Sequence, residues 1–323
     1  MPNSSRNGVH VVTGGAGAIG SVLVRSLLER GHEVRVVDNL SSGRRDYLPD
    51  AGPDGQLKLF VEDVRKPEAL LPICAGAESV WHLAANPDIR RGTEDPRIDL
   101  EHGTIATFNV LQAARAAGAR RFLYASSSVV YGLPRVFPTP EEYGPLLPES
   151  NYGASKLAGE AQVSGFALSY GFRGFIFRFA NIIGPTMTHG VIFDFLEKLR
   201  ADPSRLEVLG DGRQAKSYLT SDECVEAMLL AYDRAKDPVN VLNVGSRDRV
   251  SVREIAETVV RAHGGKAKIT CRGGERGWTG DIPQQLLSIE RLGRLGWSPK
   301  LTSAEAVDRT VREMTAARRA SSR

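Results

Sequence analysis

The sequence predicts an α/β fold, a doubly wound parallel Rossmann sheet with a smaller α/β lobe, and three observations carry that prediction. A glycine-rich loop, Thr13-Gly14-Gly15-Ala16-Gly17-Ala18-Ile19-Gly20, follows an apolar run and opens a helical pattern. Short apolar runs alternate with helical periodicity through the first half of the chain. An acidic residue, Asp38, closes the second run, 18 residues beyond Gly20. Such alternation builds a parallel sheet covered by helices on both faces.

Taken in order, VHVVTG from Val9 reads as the first strand, about Ala18 to Arg30 as a helix, and EVRVVD as the second strand, closing one βαβ unit. Strands are predicted again from Leu57 to Val61, Ser79 to Ala84, Arg121 to Ala125 and Phe175 to Phe179. Helices are predicted from Thr104 to Ala117 and from Tyr152 to Tyr170. The Pro-rich stretch from Gly132 to Ser150 suits no regular element and is expected at the surface, rimming a site. Beyond Phe179 the alternation loosens, with Gly184, Pro185, Gly190, Gly210 and Gly212 interrupting short elements. This places a dinucleotide-binding domain at 1–180 and a mainly substrate-binding lobe at 181–323. The VLNVG segment at Val241 reads as a strand that returns to the first sheet.

Composition is that of an ordinary soluble globular protein, 41% hydrophobic and 25% charged, with 42 basic and 38 acidic residues giving a net charge of +4. The charges are interspersed rather than gathered in a stripe, so nucleic acid is not an expected partner. Neither an apolar run of membrane length nor a signal-peptide layout is present, which predicts a cytoplasmic protein without membrane association. Cys74, Cys224 and Cys271 lie far apart with no metal-ligand spacing, and are read as reduced bystanders. Arg318, Arg319 and Arg323 read as a solvated basic end.

The glycine loop has physical meaning because of where it falls. Absent side chains let backbone amides approach a pyrophosphate, and the helix N-terminus adds a favourable field. Gly14, Gly17 and Gly20, with Ala18 and Ile19 opening the helix, are the candidate cradle. Asp38 can accept from an adenosine ribose and would repel a 2′-phosphate, which favours NAD over NADP. Asp63 and Val64 follow the third strand, where they could hold an adenine. Leu83, Ala84 and Ala85 follow the fourth, where small residues let a dinucleotide cross the sheet edge.

Tyr152 and Lys156 are four apart at the start of a helix and can project from one face. A phenol is a poor base at neutral pH, but a nearby ammonium and a nicotinamide cation would both favour its phenolate. Ser127, in the serine run after RFLYA, is the candidate hydroxyl that bonds a substrate oxygen and shares its proton.

These residues resemble the extended short-chain dehydrogenase/reductase family, specifically its NAD-dependent nucleotide-sugar epimerases and most closely those acting on UDP-glucose. The similarity runs through VVTGGAGAIGS, DNLSSGRR, HLAANPDIR, ASSSVVYG, YGASKLAGE, RFANIIGP, HGVIFDF, LEVLGDGRQAKSYL, RGWTGD and LGWSP. It implies Ser127, Tyr152 and Lys156 as catalytic hydroxyl, base and activator, and cofactor contacts that include Asn39, Ser42 and Gly43 as well as Tyr152 and Lys156 themselves. For the substrate it implies Ser128 beside the catalytic serine, Asn181 on the diphosphate with backbone contacts from Val191 and Ile192 beside it, and Glu207 to Leu209 along the uracil. Lys216 and Arg276 correspond to the cations that clamp the diphosphate, with Tyr218 nearby. Gly103 stands where relatives usually carry an Asn near the cofactor. The resemblance further implies a homodimer paired through a four-helix interface.

The implied activity is 4-epimerisation of a UDP-hexose of the UDP-glucose/UDP-galactose type through a transient 4-keto sugar. Family dehydratases place Asp-Glu after the catalytic hydroxyl and uronate decarboxylases a Glu nearby, whereas Ser128 and Val129 stand there in this chain. A UDP-glucuronate/UDP-galacturonate 4-epimerase is the alternative, with Arg90 and Arg91, or Thr186 and Thr188, as candidates to face a C6 carboxylate. A non-catalytic NAD-binding sensor is the alternative of another class, opposed by the joint presence of Ser127, Tyr152 and Lys156.

Overall fold

The computed structural model describes residues 8–51, 55–278 and 280–321. In chain order its central sheet contains β1 (Val9–Thr13), β2 (Glu33–Val37), β3 (Leu57–Phe60), β4 (Ser79–His82), β5 (Arg121–Ser127) and β6 (Arg173–Phe179), and a seventh strand is contributed by Val239–Val244. The spatial order is Val239–Val244, β6, β5, β4, β1, β2, β3. Pairing is parallel across β3, β2, β1, β4 and β5. The order reverses between β1 and β4, which is where an open α/β sheet forms its ligand crevice, at the carboxyl ends of the strands.

Helices α1 (Ala18–Glu29), α2 (Pro67–Cys74), α3 (Ile89–Glu94), α4 (Pro96–Asp99), α5 (Ala106–Ala116) and α6 (Asn151–Tyr170) belong to the same half of the chain. The helical run expected to begin at Thr104 begins instead at Pro96. Asp95 caps it by accepting from Arg97 N, Pro96 occupies the first turn, and a π-helical turn at Leu100–Ile105 joins α4 to α5. A π turn inserts a residue and shifts the helical phase, so a periodicity scan reads only the part beyond it. Gly171 ends α6 with a φ of 77°, a left-handed conformation that glycine adopts without steric cost.

The chain forms two compact units. The first contains the residues through Ser127 together with Asn151–Arg178 and Ala231–Leu242; the second contains Ser128–Ser150, Phe179–Leu230 and the chain from Asn243 onward. A single cut at 180/181 therefore does not describe the division. The Pro-rich stretch groups with the second unit and Ala231–Leu242 with the first, because spatial neighbours rather than chain order decide membership.

Unit 1 is organised around a core that includes Val11, Val37, Leu70, Val80, Val110, Leu111, Phe122, Val163 and Ile176. Unit 2 has its own core, in which Ile192, Phe195 and Leu199 of α7 (Val191–Ala201) meet Leu206, Val208, Ile255, Val259, Val307 and Val311. Full burial of each such side chain contributes about 1.5–3 kcal/mol. Within unit 2 the Pro-rich stretch is irregular but pinned: Glu141 accepts from Asn243 N at 3.0 Å, and Asn243 Nδ2 donates to Thr139 O and Ser288 O. Arg318 lies in the helix Ser303–Ser321 and pairs with Glu197 at 2.9 Å, so it is not part of a loose basic end. The Arg319 side chain and Arg323 lie outside the described residues.

Two buried histidines make the fold acid-sensitive. His10 on β1 accepts at Nδ1 from Trp81 Nε1 at 3.1 Å, with Ser79 Oγ 2.7 Å from the same atom, and its Nε2 has no partner among the described residues. Burial first, then His32, Arg121 and Arg30, lower its pKa to about 3; burial and then Lys156 do the same for His82. The unfolded chain, with histidines near 6.5, binds more protons between these limits, so stability is complete above 6.5 and lost as pH falls toward 3. The expected result is a melting temperature that drops steadily below pH 6.5, with a shallower fall in His10→Leu; calorimetry across pH checks it.

Candidate active site

The glycine loop is closed so tightly that side chains have no room. Gly14 has a φ of 68°, and a Cβ there would stand 2.7 Å from Ala84 N; one on Gly20 would stand 2.1 Å from Gly14 O. Gly17 is the N-cap of α1 and brings no side chain to the first-turn amides, so those around Ala18 and Ile19 keep donors for an anion. Asp38 directly follows β2 and is buried, and each oxygen accepts one amide, from Ala16 N and Leu40 N, both at 2.9 Å. Each oxygen keeps a further lone pair that a ribose hydroxyl could use. Leu40 pays for its amide bond with a left-handed φ of 57°, a cost of about 1–2 kcal/mol for a residue with a Cβ. Gly43 packs against Ala16 and Asp38, where a Cβ would come within 2.9 Å of both, while Asn39 and Ser42 beside it are exposed. This cradle fits a dinucleotide.

At the next strand end, Asn39 Nδ2 donates to Asp63 at 3.3 Å and Arg65 donates to both Asp63 oxygens. The Arg65 guanidinium holds the Asp63 carboxyl well below the usual carboxylate range. Val64 turns its side chain into the core. After β4, Leu83 N donates to Thr13 O at 3.1 Å and Ala84 N to Thr13 Oγ1 at 3.3 Å, so Leu83, Ala84 and Ala85 follow the glycine loop closely.

Tyr152 and Lys156 lie in the first turns of α6, and Lys156 Nζ donates to Ala125 O of β5 at 2.6 Å. That bond ties the helix to the strand two residues before Ser127, which is the last residue of β5 rather than a residue beyond it. Lys156 Nζ is 5.5 Å from the centre of the Tyr152 ring. Burial lowers the Lys156 pKa to about 8, with Asp99 and Glu160 pulling it back up. Burial pushes the Tyr152 phenol up, and Asp99 adds to the effect. In the protein alone, desolvation thus outweighs the ammonium that was expected to favour the phenolate.

Several groups around this pair are not legible from motif spacing. Glu160, one turn beyond Lys156, accepts from Ser126 Oγ at 2.5 Å and forms a two-pronged ion pair with Arg178 of β6, its closest N–O distance being 2.7 Å. Asp99, fully buried, accepts from Asn86 Nδ2 at 2.9 Å, and its other oxygen lacks a partner among the described residues. Gly103 lies in the π turn against α6, where a Cβ would be 2.4 Å from Ser155 Oγ, and Ser155 Oγ donates to Tyr152 O. Helix phase and distant pairing place these groups.

The expected substrate residues, apart from Ser127, belong to unit 2. Asn181 Nδ2 donates to Ser217 O at 3.0 Å, which brings it beside Lys216. Lys216 pairs with Asp281 at 2.6 Å, and Asp281 also accepts from Gly277 N. Leu209 is close by, its Cβ 3.5 Å from where a Gly277 Cβ would stand. Arg276 pairs with Glu149 at 3.1 Å. Both expected clamp cations therefore have carboxylate partners, and Asp281 is a member of the cluster that spacing alone did not single out. Glu207 accepts from Arg272 at 3.2 Å. Val191 opens α7, but the Ile192 and Tyr218 side chains are core residues of unit 2, leaving Ile192 only its backbone to offer. Ser128 starts a short 3-10 turn, Ser128–Tyr131. The Arg90 side chain is outside the described residues. No three His, Cys, Asp or Glu side chains gather at metal-binding distance among the described residues, and none of the described helices is long and apolar enough to cross a membrane.

Comparison with known proteins adds the family. The sequence pattern of the NAD dependent epimerase/dehydratase family matches residues 10–245. A UDP-glucose 4-epimerase of Mycolicibacterium smegmatis is 32% identical over 93% of this chain and 96% of its own. Among solved structures, a UDP-galactose 4-epimerase is 42% identical with a TM-score of 0.87, covering 96% of this chain and 99% of its own. The UDP-glucose 4-epimerase of Thermus thermophilus, solved in complex with NAD, is 31% identical with a TM-score of 0.84 over 96% of this chain and 99% of its own.

Proposed function

The chain belongs to the NAD-dependent epimerase/dehydratase family and has NAD as its cofactor, and on that premise we propose that it is a 4-epimerase of a UDP-hexose, of the UDP-glucose/UDP-galactose type. The observation that carries this reading is the Tyr152–Lys156 pair tied through Ala125 O to the strand that ends in Ser127, with no acid at Ser128 or Val129 to protonate a leaving hydroxyl.

The glycine loop and the α1 amides hold the pyrophosphate, Asp38 the adenosine ribose, and Asp63 and Val64 the adenine. When bound, NAD supplies a hydride acceptor that becomes the hydride donor within the same turnover. Tyr152 removes the proton of the sugar 4-hydroxyl and later returns it, Lys156 balances the phenolate, and Ser127 bonds the 4-oxygen as it becomes a ketone. Asn181, Lys216 and Arg276 hold the diphosphate, so that the 4-keto sugar is retained while it presents its other face. For the two cations this requires exchange of Asp281 and Glu149 for phosphate oxygens, a trade between like interactions. Incubation with UDP-glucose, UDP-glucuronate and UDP-N-acetylglucosamine in separate reactions tests the assignment: UDP-galactose forms from the first, and failure to form it while another sugar is turned over would sink the UDP-hexose reading.

The same reading includes a homodimer. Leu100, Ile105 and Phe108, along the helical run ending in α5, and Leu168 and Tyr170 on α6 expose 42–67% of their surface, more than isolated surface apolar residues require. Light scattering is expected to give twice 35.1 kDa, and Phe108→Asp with Leu168→Asp a protein of 35.1 kDa.

A further inference from the structure

We propose that His82 is a positioning residue for this reaction, a neutral imidazole protonated at Nε2 that couples the backbone of the glycine loop to the turn on which the catalytic helix packs. The proposal rests on the reading above for the reaction, but its geometry stands within unit 1 alone.

The hydrogen bonds assign every proton. Thr107 Oγ1 donates to Gly103 O at 2.5 Å, which uses its one hydrogen. His82 Nε2 lies 3.1 Å from the same oxygen, so Nε2 must be the donor there. Nδ1 of a neutral ring is then an acceptor, and Thr13 Oγ1 donates to it at 2.7 Å. Thr13 Oγ1 in turn accepts from Ala84 N. The result is one directional chain: Ala84 N–H, Thr13 O–H, His82, Thr107 O–H, Gly103 carbonyl. It starts at the residue against which Gly14 is packed and ends at the residue against which Ser155 is packed, three positions from Tyr152.

His82, Thr13 and Thr107 are each at most 1% exposed, so water cannot replace a lost link. A second proton on His82 would leave the Thr13 hydrogen without its acceptor, and burial opposes that proton as well. The ring is also confined by stacking on Tyr124, with centroids 5.8 Å apart. None of these side chains needs to touch substrate; they act by holding backbone at both ends.

The test uses the full-length protein, NAD itself as the titrant, and Thr107→Val and Thr13→Val with the hydroxyl-retaining Thr107→Ser. Thr107→Val is expected to weaken NAD binding about tenfold, equivalent to one lost buried hydrogen bond, although it lies at the far end of the chain. Thr107→Ser restores the affinity, and the double valine variant loses less than the product of the single losses, as coupled positions do. Long-range ¹H–¹⁵N spectra are expected to show His82 as the Nε2–H tautomer, unchanged between about pH 7.5 and 5.5 where a free histidine titrates. An Nδ1–H tautomer, titration of His82 in that range, or wild-type NAD affinity in Thr107→Val would overturn the proposal. Wild-type protein inactive on every UDP-sugar, with these NAD and spectroscopic results intact, would remove the functional reading and leave His82's role standing.

Discussion

For the proposed 4-epimerase, Tyr152→Phe is expected to lower kcat for conversion of UDP-glucose to UDP-galactose by about 10²–10⁴-fold, the range of a lost general acid–base group, while NAD affinity and the melting temperature stay close to wild type. The substitution removes one oxygen and keeps the ring. Lys156 keeps its bond to Ala125 O, so the helix stays tied to β5 and the cofactor cradle, built from other elements, is untouched. The loss falls on kcat because the phenol acts when the 4-hydroxyl proton moves, an interaction realised in the transition state. Steady-state kinetics on both sugars, with NAD titration alongside, make the measurement. A variant within threefold of wild type would mean that another group is the base.

The largest stability effect is expected at the pair beneath the catalytic helix. Glu160 and Arg178 each expose only 6% of their side chain, so little solvent reaches either charge. Glu160→Leu takes this carboxylate away from the buried guanidinium and should cost about 3–5 kcal/mol. Glu160→Leu with Arg178→Met removes both charges and should recover most of that loss, since a pair of apolar residues carries no desolvation penalty. Urea denaturation of the two variants beside wild type decides it. If the single variant lost under about 1 kcal/mol, in the manner of an exposed pair, the ion pair would have no part in seating α6 on the sheet.

The parts legible in the sequence are those encoded by short-range chemistry. The glycine loop could be read because strand, loop and helix are contiguous, and Asp38 because it closes the next strand. Tyr152 and Lys156 could be read because four residues return a helix to the same face. What escaped reading depends on contacts made across the sheet or on a change of helical phase. Glu160 and Arg178 are ordinary charged positions until α6 lies against β5 and β6. The start of the helix at Pro96 is hidden by the π turn, which breaks the periodicity on which a scan relies. Asp281 is one residue of the RGWTGD segment, and only the fold of unit 2 brings it to Lys216. Ile192 and Tyr218 have side chains committed to the core of unit 2, which motif position alone does not reveal.

The strand Val239–Val244 also has a consequence in time. It pairs with β6, yet some sixty residues separate them in the chain, and most of those residues build unit 2. As the protein is synthesised from its amino end, six strands of the central sheet are complete by Phe179, and β6 waits with open backbone donors and acceptors until residue 244 has emerged. An unpaired strand edge is a template for other chains. A nascent protein stopped short of Val239 would carry Ser127, Tyr152 and Lys156 in place and still be prone to stick to its neighbours.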